Sequence, residues 1–306
     1  MRVIVFGGTG WVGHYIAQVF HNAGHEVTIC SRGKKNTYQS EIPETIRKVQ
    51  CDKNNTSDMA GVFKEVYDVV IDSVPSEASI NNITKYARGL KRYLHCSSTG
   101  GYAPLLFIPG DETMPYSDFL GGWKMKGIVD AKVMNLHSRE GFPATVIRPS
   151  YITGPGMLPI DNMGGRREKF IANVLKGVPL DLPNDGQSLL QPVHVQDLAH
   201  AFLLAAKNPK SIGQIYNICL AKAVTIKQYL KITAVTLNRE VTINYMPVDN
   251  MLKKYGETIN EIELRFFAVH MCFDISKARE QLGYVPHCST EEAIEETARW
   301  AADIIS

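Results

Sequence analysis

The sequence predicts an α/β fold: a doubly wound parallel sheet with crossover helices, followed by a smaller, discontinuous C-terminal part that caps the sheet's carboxyl edge. Three observations predict it. Short β-branched apolar runs alternate with helical stretches through the first half of the chain. A strand ending at Phe6 runs directly into Gly7-Gly8-Thr9-Gly10-Trp11-Val12-Gly13 and an amphipathic helix. After Pro149 the alternation loosens into a Gly/Pro-rich stretch containing Gly154-Pro155-Gly156, Pro159 and Gly164-Gly165.

The first strand is read at residues 3–6 and the first helix at 11–22. Between them Gly7 allows a tight turn, Gly10 lets backbone approach a pyrophosphate, and Gly13 lets helix and strand pack closely. The N–H groups that open the helix, with Thr9, Trp11 and Val12 in the same loop, face the anion. This is the phosphate loop of a Rossmann dinucleotide-binding domain. The second strand, 26–30, leads to Cys30-Ser31-Arg32-Gly33-Lys34-Lys35, where an acid would hold an adenosine 2′-hydroxyl. No acid is present. Ser31 and the forked guanidinium of Arg32 suit a 2′-phosphate, so NADP(H) is favoured over NAD(H), with Lys34 and Lys35 read equally as extra charge or as a solvated loop. The third strand, 47–51, places Asp52 to accept from the adenine amino group or to serve as an ordinary strand-end residue. A helix at 57–65, a strand at 68–72 ending next to Ser73 (a further cofactor-binding candidate), a helix at 77–88, a strand at 93–96, a helix at 124–139 and a strand at 144–148 complete this half.

Helices at 167–176 and 196–207 follow, a strand at 214–219 returns to the sheet, and helices at 226–237, 276–282 and 291–304 end the chain. Residues 1–153 plus about 193–222 are therefore read as the dinucleotide-binding domain, and about 154–192 plus 223–306 as a substrate domain. With 306 residues and 44% hydrophobic content there is material for a large core. The 33 basic and 31 acidic side chains are spread along the chain, and a net charge of +2 gives no nucleic-acid tail or membrane patch. Six cysteines lie far apart without a Cys-x-x-Cys pair, which predicts reduced thiols and no metal site. No signal-peptide core or membrane span is read, so the expected location is cytoplasmic.

Further landmarks stand in order: His95-Cys96-Ser97-Ser98-Thr99-Gly100-Gly101-Tyr102, Arg148-Pro149-Ser150-Tyr151-Ile152-Thr153-Gly154-Pro155, and Val193-His194-Val195-Gln196-Asp197-Leu198-Ala199. Together with the glycine loop they resemble the extended short-chain dehydrogenase/reductase superfamily, in its NAD-dependent epimerase/dehydratase branch. The resemblance implies a Ser or Thr that holds a substrate hydroxyl, a Tyr that carries the proton, and a Lys four residues later that favours the phenolate. Ser98 matches the first, with Ser97 and Thr99 beside it. Lys126, followed four residues on by Asp130, matches the last. The Tyr position is Gly122, next to Trp123, whose indole has no usable acidity. Lys126, Lys124 or Tyr116 is the substitute, with Lys124 read mainly as a surface lysine. Cys-Ser-Ser, the Lys-Gly pair and Arg-Pro-x-Tyr-Ile-x-Gly-Pro also resemble the atypical chloroplast stem-loop RNA-binding proteins.

Two functions follow. The first is an NAD(P)-dependent epimerase, dehydratase or reductase acting on a nucleotide sugar or similar small molecule. The second is a non-redox dinucleotide-binding protein with an RNA-associated or regulatory role. The arginines in Gly164-Gly165-Arg166-Arg167-Glu168 are read as phosphate ligands or as solvated helix-start residues. His194, flanked by valines, is read as structural. The resemblance implies a homodimer that pairs through the helices at 77–88 and 124–139.

Overall fold

The structure, a computed structural model, describes residues 1–33, 42–117 and 121–305, without the side chains of 121–123. Lys34 and Lys35 lie outside the described residues. In chain order the elements begin with β1 (Arg2–Phe6), α1 (Trp11–Asn22), β2 (Glu26–Ser31), β3 (Arg47–Gln50), α2 (Thr56–Val62), β4 (Val69–Asp72), α3 (Glu77–Tyr86) and β5 (Arg92–Cys96). They continue with α4 (Gly121–Glu140), β6 (Ala144–Pro149), β7 (Tyr151–Thr153), α5 (Glu168–Leu175), β8 (Leu180–Pro183), β9 (Leu189–Leu190), β10 (Pro192–His194) and α6 (Val195–Lys207). The last are β11 (Ile215–Ile218), β12 (Val224–Thr225), α7 (Ile226–Thr236), β13 (Ile243–Met246), α8 (Val248–Tyr255), α9 (Glu261–Phe267), α10 (Ser276–Leu282) and α11 (Thr290–Ile305).

Seven strands form one parallel sheet in the order β11-β6-β5-β4-β1-β2-β3. The chain builds outward from β1 to β3, then crosses back and builds the other way from β4. Such a reversal opens a crevice at the carboxyl ends of β1 and β4, where ligands bind in this architecture. Helices on both faces bury the strands completely, which is why Val69–Asp72 and Ala144–Pro149 carry no exposed residue. On α1 the buried residues Gly13, Ile16, Ala17 and Phe20 recur at helical spacing and face the sheet. Asn55 caps α2, and Ser76 with Ser79 forms a capping box on α3. A separate apolar cluster, built from Phe170, Leu182, Tyr229, Ile294 and their neighbours, packs the C-terminal elements.

The strand read at 214–219 does return to the sheet, as β11 beside β6. The short strands β8 and β13, and helices α8 and α9, were not legible: they are four to eight residues long, and on α8 only Met251 is buried. No helix among the described residues is long and apolar enough to cross a membrane.

The expectation of six reduced thiols is overturned, because Cys30 and Cys51 form a disulfide. Strands β2 and β3 pair with Ser31 opposite Gln50, and Cys51 N–H donates to Ser31 C=O at 2.9 Å. That register brings Cys51 alongside Cys30, with their Cα atoms 6.0 Å apart. A contact made by strand pairing across 21 residues leaves no motif in the sequence. Cys96, Cys219, Cys272 and Cys288 are free.

Candidate active site

The glycine loop is shaped by contacts that a side chain would break. Gly7 has φ +78°, and a Cβ there would meet Ser73 Oγ at 2.5 Å; a Cβ on Gly13 would meet the Gly7 carbonyl oxygen at 2.3 Å. Gly10 N–H closes the turn onto Gly7 C=O at 2.8 Å. Helix α1 then starts from Gly10 with no side-chain cap and no acid in its first turn. The positive end of its dipole therefore suits an anion. Ser73 donates to Phe6 C=O at 2.8 Å and so props the loop. Trp11 and Tyr15 donate to Pro155 C=O at 2.6 and 3.1 Å, tying the loop to the segment that follows β7.

Two cavities flank this loop. One, of about 600 Å³, is lined by Gly7, Thr9, Ser31, Arg32, Asp52 and Lys53 among others. Arg32 is exposed at its rim, Ser31 Oγ accepts from Gly33 N–H at 3.2 Å, and Asp52 Oδ1 accepts from Asn54 N–H at 2.9 Å. The Cys30–Cys51 disulfide forms part of the same wall. Lys53 was missed in the sequence. Its ammonium pairs with the buried Asp72 and donates to Val74 C=O, and Ser79 donates to the same carboxylate at 2.6 Å. A cation directly after Asp52 was the available signal.

The second cavity, of about 850 Å³, runs from Gly10–Gly13 past Ser98 and Lys126 to Tyr151, Arg166 and Phe266. Ser98, half-buried, accepts from Gly100 N–H at 3.0 Å and caps the turn Thr99–Tyr102. Lys126, also half-buried, projects from α4; its charge opposes the burial that pushes the Cys96 thiol up to about 11. Gly122 begins the same helix one turn earlier, so backbone alone stands there. Arg166 donates to Leu158 and Ile152 C=O, each at 2.5 Å, and lies over the Trp11 ring. Arg167 is taken up by Asp161 at 2.7 Å and Glu263 at 3.3 Å. Tyr151 has a buried hydroxyl with no hydrogen-bond partner. His194 is fully buried and caps α6, as its apolar flanks suggested.

Tyr116 lies deeper. Its ring fits between two glycines: a Cβ on Gly101 would meet ring carbon Cε1 at 1.9 Å, and one on Gly127 would meet Cγ at 2.7 Å. It stacks on Tyr102 at 5.6 Å, and the Arg148 guanidinium sits 4.4 Å from its centroid. Its hydroxyl donates to Asp130 and lies 3.1 Å from Ser97 Oγ. Asp130 also receives His95 Nε2 and Arg148 Nε, each at 3.0 Å. Burial raises the Asp130 pKa, but the bonds and charges of His95, Arg148 and Tyr116 outweigh it, and the net shift is downward. Burial, with the Asp130 charge beside it, pushes the Tyr116 phenol far up. A phenol donating to a buried carboxylate is held protonated. Tyr116 is absent among the described residues lining the cavity.

Fold and site together define a nicotinamide-dinucleotide enzyme with a cleft at the sheet's switch point. The model of the NAD dependent epimerase/dehydratase family matches residues 3–85 and 78–219, and the chain belongs to that family. Among curated relatives, the chain is 26% identical over 97% of its length to the chloroplast stem-loop binding protein of 41 kDa b of Arabidopsis thaliana, covering 78% of that protein. It is 24% identical over 99% of its length to a 3-beta-hydroxysteroid dehydrogenase of Mycolicibacterium neoaurum, covering 92% of that protein. Among solved structures, UDP-glucose 4-epimerase of Thermotoga maritima superimposes over the whole of both chains with a TM-score of 0.80 at 18% identity. UDP-glucuronic acid 4-epimerase of Bacillus cereus, solved with NAD, does so with 0.80 at 16%.

Proposed function

We propose that this chain is an NADP(H)-dependent epimerase, dehydratase or reductase of nucleotide sugars in which Lys126 takes over the proton handling of the missing tyrosine. The observation that carries this reading is the cleft itself, which joins the uncapped start of α1, Ser98 and Lys126 in one cavity. The glycine loop fits a dinucleotide, because Gly7 and Gly13 allow the tight turn and the close packing of helix on loop, where a Cβ would meet Ser73 Oγ or the Gly7 carbonyl oxygen. Arg32, Ser31 and Asp52 are the residues assigned to its adenosine end, with Lys53 added; the lack of an acid after β2 supports NADP(H). Bound there, the nicotinamide supplies or accepts a hydride. Ser98 donates to the substrate hydroxyl and orients it. Lys126 is the residue assigned to proton transfer with the substrate hydroxyl. Tyr151 and Arg166 line the end left for the sugar nucleotide. The cleft would lie between the domain of residues 1–153 plus about 193–222 and the remainder.

The test is turnover of a UDP-sugar panel with NADP⁺, comparing Lys126→Met with Tyr116→Phe. The proposal expects Lys126→Met to lose at least ~100-fold in kcat and Tyr116→Phe to stay within a few-fold. The reverse ranking contradicts it.

A second reading, a non-redox dinucleotide-binding protein associated with RNA, is favoured by the 97% coverage against the stem-loop binding protein and by Gly122. It expects dinucleotide binding without redox turnover on any sugar, together with salt-dependent RNA binding.

A further inference from the structure

Away from both cavities, three side chains of different metal-ligand chemistry converge where α6 begins and the loop before α11 passes over it. Asp197 lies in the first turn of α6, and His287 and Cys288 lie in the α10–α11 loop. One donor atom from each falls within 4.8 Å of the others. Asp197 is 2% exposed. Its Oδ1 accepts from His287 N–H at 3.0 Å and faces His287 Nδ1 at 2.7 Å. Its other oxygen is buried without any hydrogen-bond donor. A buried carboxylate oxygen in that condition costs stability unless something positive answers it. Among the described residues no Lys or Arg pairs with Asp197 or with the nearby Glu296.

The surroundings orient the cluster. The His194 ring packs edge-on against His287 at 4.7 Å. His194 Nδ1 accepts from Gln196 N–H at 3.2 Å, so its proton sits on Nε2, which faces Glu296 at 3.0 Å. His194 is thus a supporting group and not a ligand. A Cys-His-Asp nucleophile is the competing reading. It fails because none of the three side chains lines either cavity, so no substrate would meet the thiol.

We propose that Asp197, His287 and Cys288 bind a divalent transition-metal ion of the zinc type, with a fourth position open to water. An oxygen, a nitrogen and a sulfur donor form a set that suits zinc and disfavours magnesium or calcium. Bonds of about 2.0–2.3 Å draw the three donors closer than they now stand, and His287 and Cys288, both partly exposed on a loop, can make that adjustment. None of the three lines either cavity. The ion would therefore act as a clamp, fastening the loop before α11 to the start of α6. The sequence hid the site because 90 residues separate Asp197 from His287.

The test is titration of the whole protein with Co²⁺, reading the ultraviolet thiolate-to-cobalt charge-transfer band, followed by displacement with Zn²⁺. The expected result is one Co²⁺ per chain, a band lost in Cys288→Ser and unchanged in Cys272→Ser, and Zn²⁺ affinity at least ~10-fold weaker in His287→Gln. Both test residues are partly exposed, so the variants keep their fold, and Zn²⁺ should raise the wild-type melting temperature more than that of Cys288→Ser. Absence of a thiolate band, or a band that survives Cys288→Ser, overturns the proposal.

Discussion

The two ends of the cleft were assembled differently. At the end proposed for adenosine, the glycine loop, Ser31, Arg32 and Asp52 gather around one cavity from the ends of three neighbouring strands. At the end proposed for the reaction, Ser98 and Lys126 line the other cavity, while Gly122 offers only backbone and the half-buried Tyr116 is wedged between Gly101 and Gly127. A phosphate loop depends on backbone shape, so its glycines can be read directly. A proton carrier depends on where one side chain points, and the Tyr116 hydroxyl is given to Asp130, beside Ser97.

The largest expected effect is at the loop. Gly13→Val drives a side chain into the Gly7 carbonyl, where even a Cβ would sit at 2.3 Å. Saturable NADPH binding should vanish in a fluorescence titration; retention of binding would break the claim that this turn holds the pyrophosphate. Next is Asp130→Asn, which leaves Arg148 buried without its charge partner. Urea denaturation should show a loss of about 3–5 kcal/mol. Because the Asp130 pKa is lowered by folding, its stabilisation is present above the ordinary carboxylate range, and it fades as pH falls through the folded value. Wild type should therefore lose more stability than the Asn variant on acidification. Reduction of Cys30–Cys51 removes a link across 21 residues and should cost about 3 kcal/mol. Since both cysteines line the adenosine-end cavity, NADPH affinity should fall in the same preparation, which sharpens the contrast because Lys126 and Ser98 lie elsewhere. Gly127→Ala has the smallest effect on cofactor binding: its Cβ would meet Tyr116 Cγ at 2.7 Å, so the melting temperature should fall while NADPH affinity stays unchanged.

The sheet was legible because buried parallel strands and amphipathic crossovers write periodicity into the chain: helix 11–22 coincides with α1, and strand 3–6 falls within β1. The capping part was legible only at its longer helices, since two-residue strands such as Leu189–Leu190 carry no period. Lys53, the Cys30–Cys51 bond and the unpartnered Tyr151 hydroxyl depend on which side chains meet across distant elements. The room that Gly101 and Gly127 leave for the Tyr116 ring likewise depends on two distant segments meeting.

The central claim is that the cleft holds NADP(H) with Arg32 on the 2′-phosphate. Its most direct test is titration of the wild type and of Arg32→Asp with NADPH and NADH, followed by quenching of tryptophan fluorescence. The account predicts tighter NADPH than NADH binding in the wild type, and a loss of at least ~10-fold for NADPH alone in the variant, the equivalent of one charge-assisted contact. Equal affinity for both nucleotides, unchanged by the substitution, would contradict it.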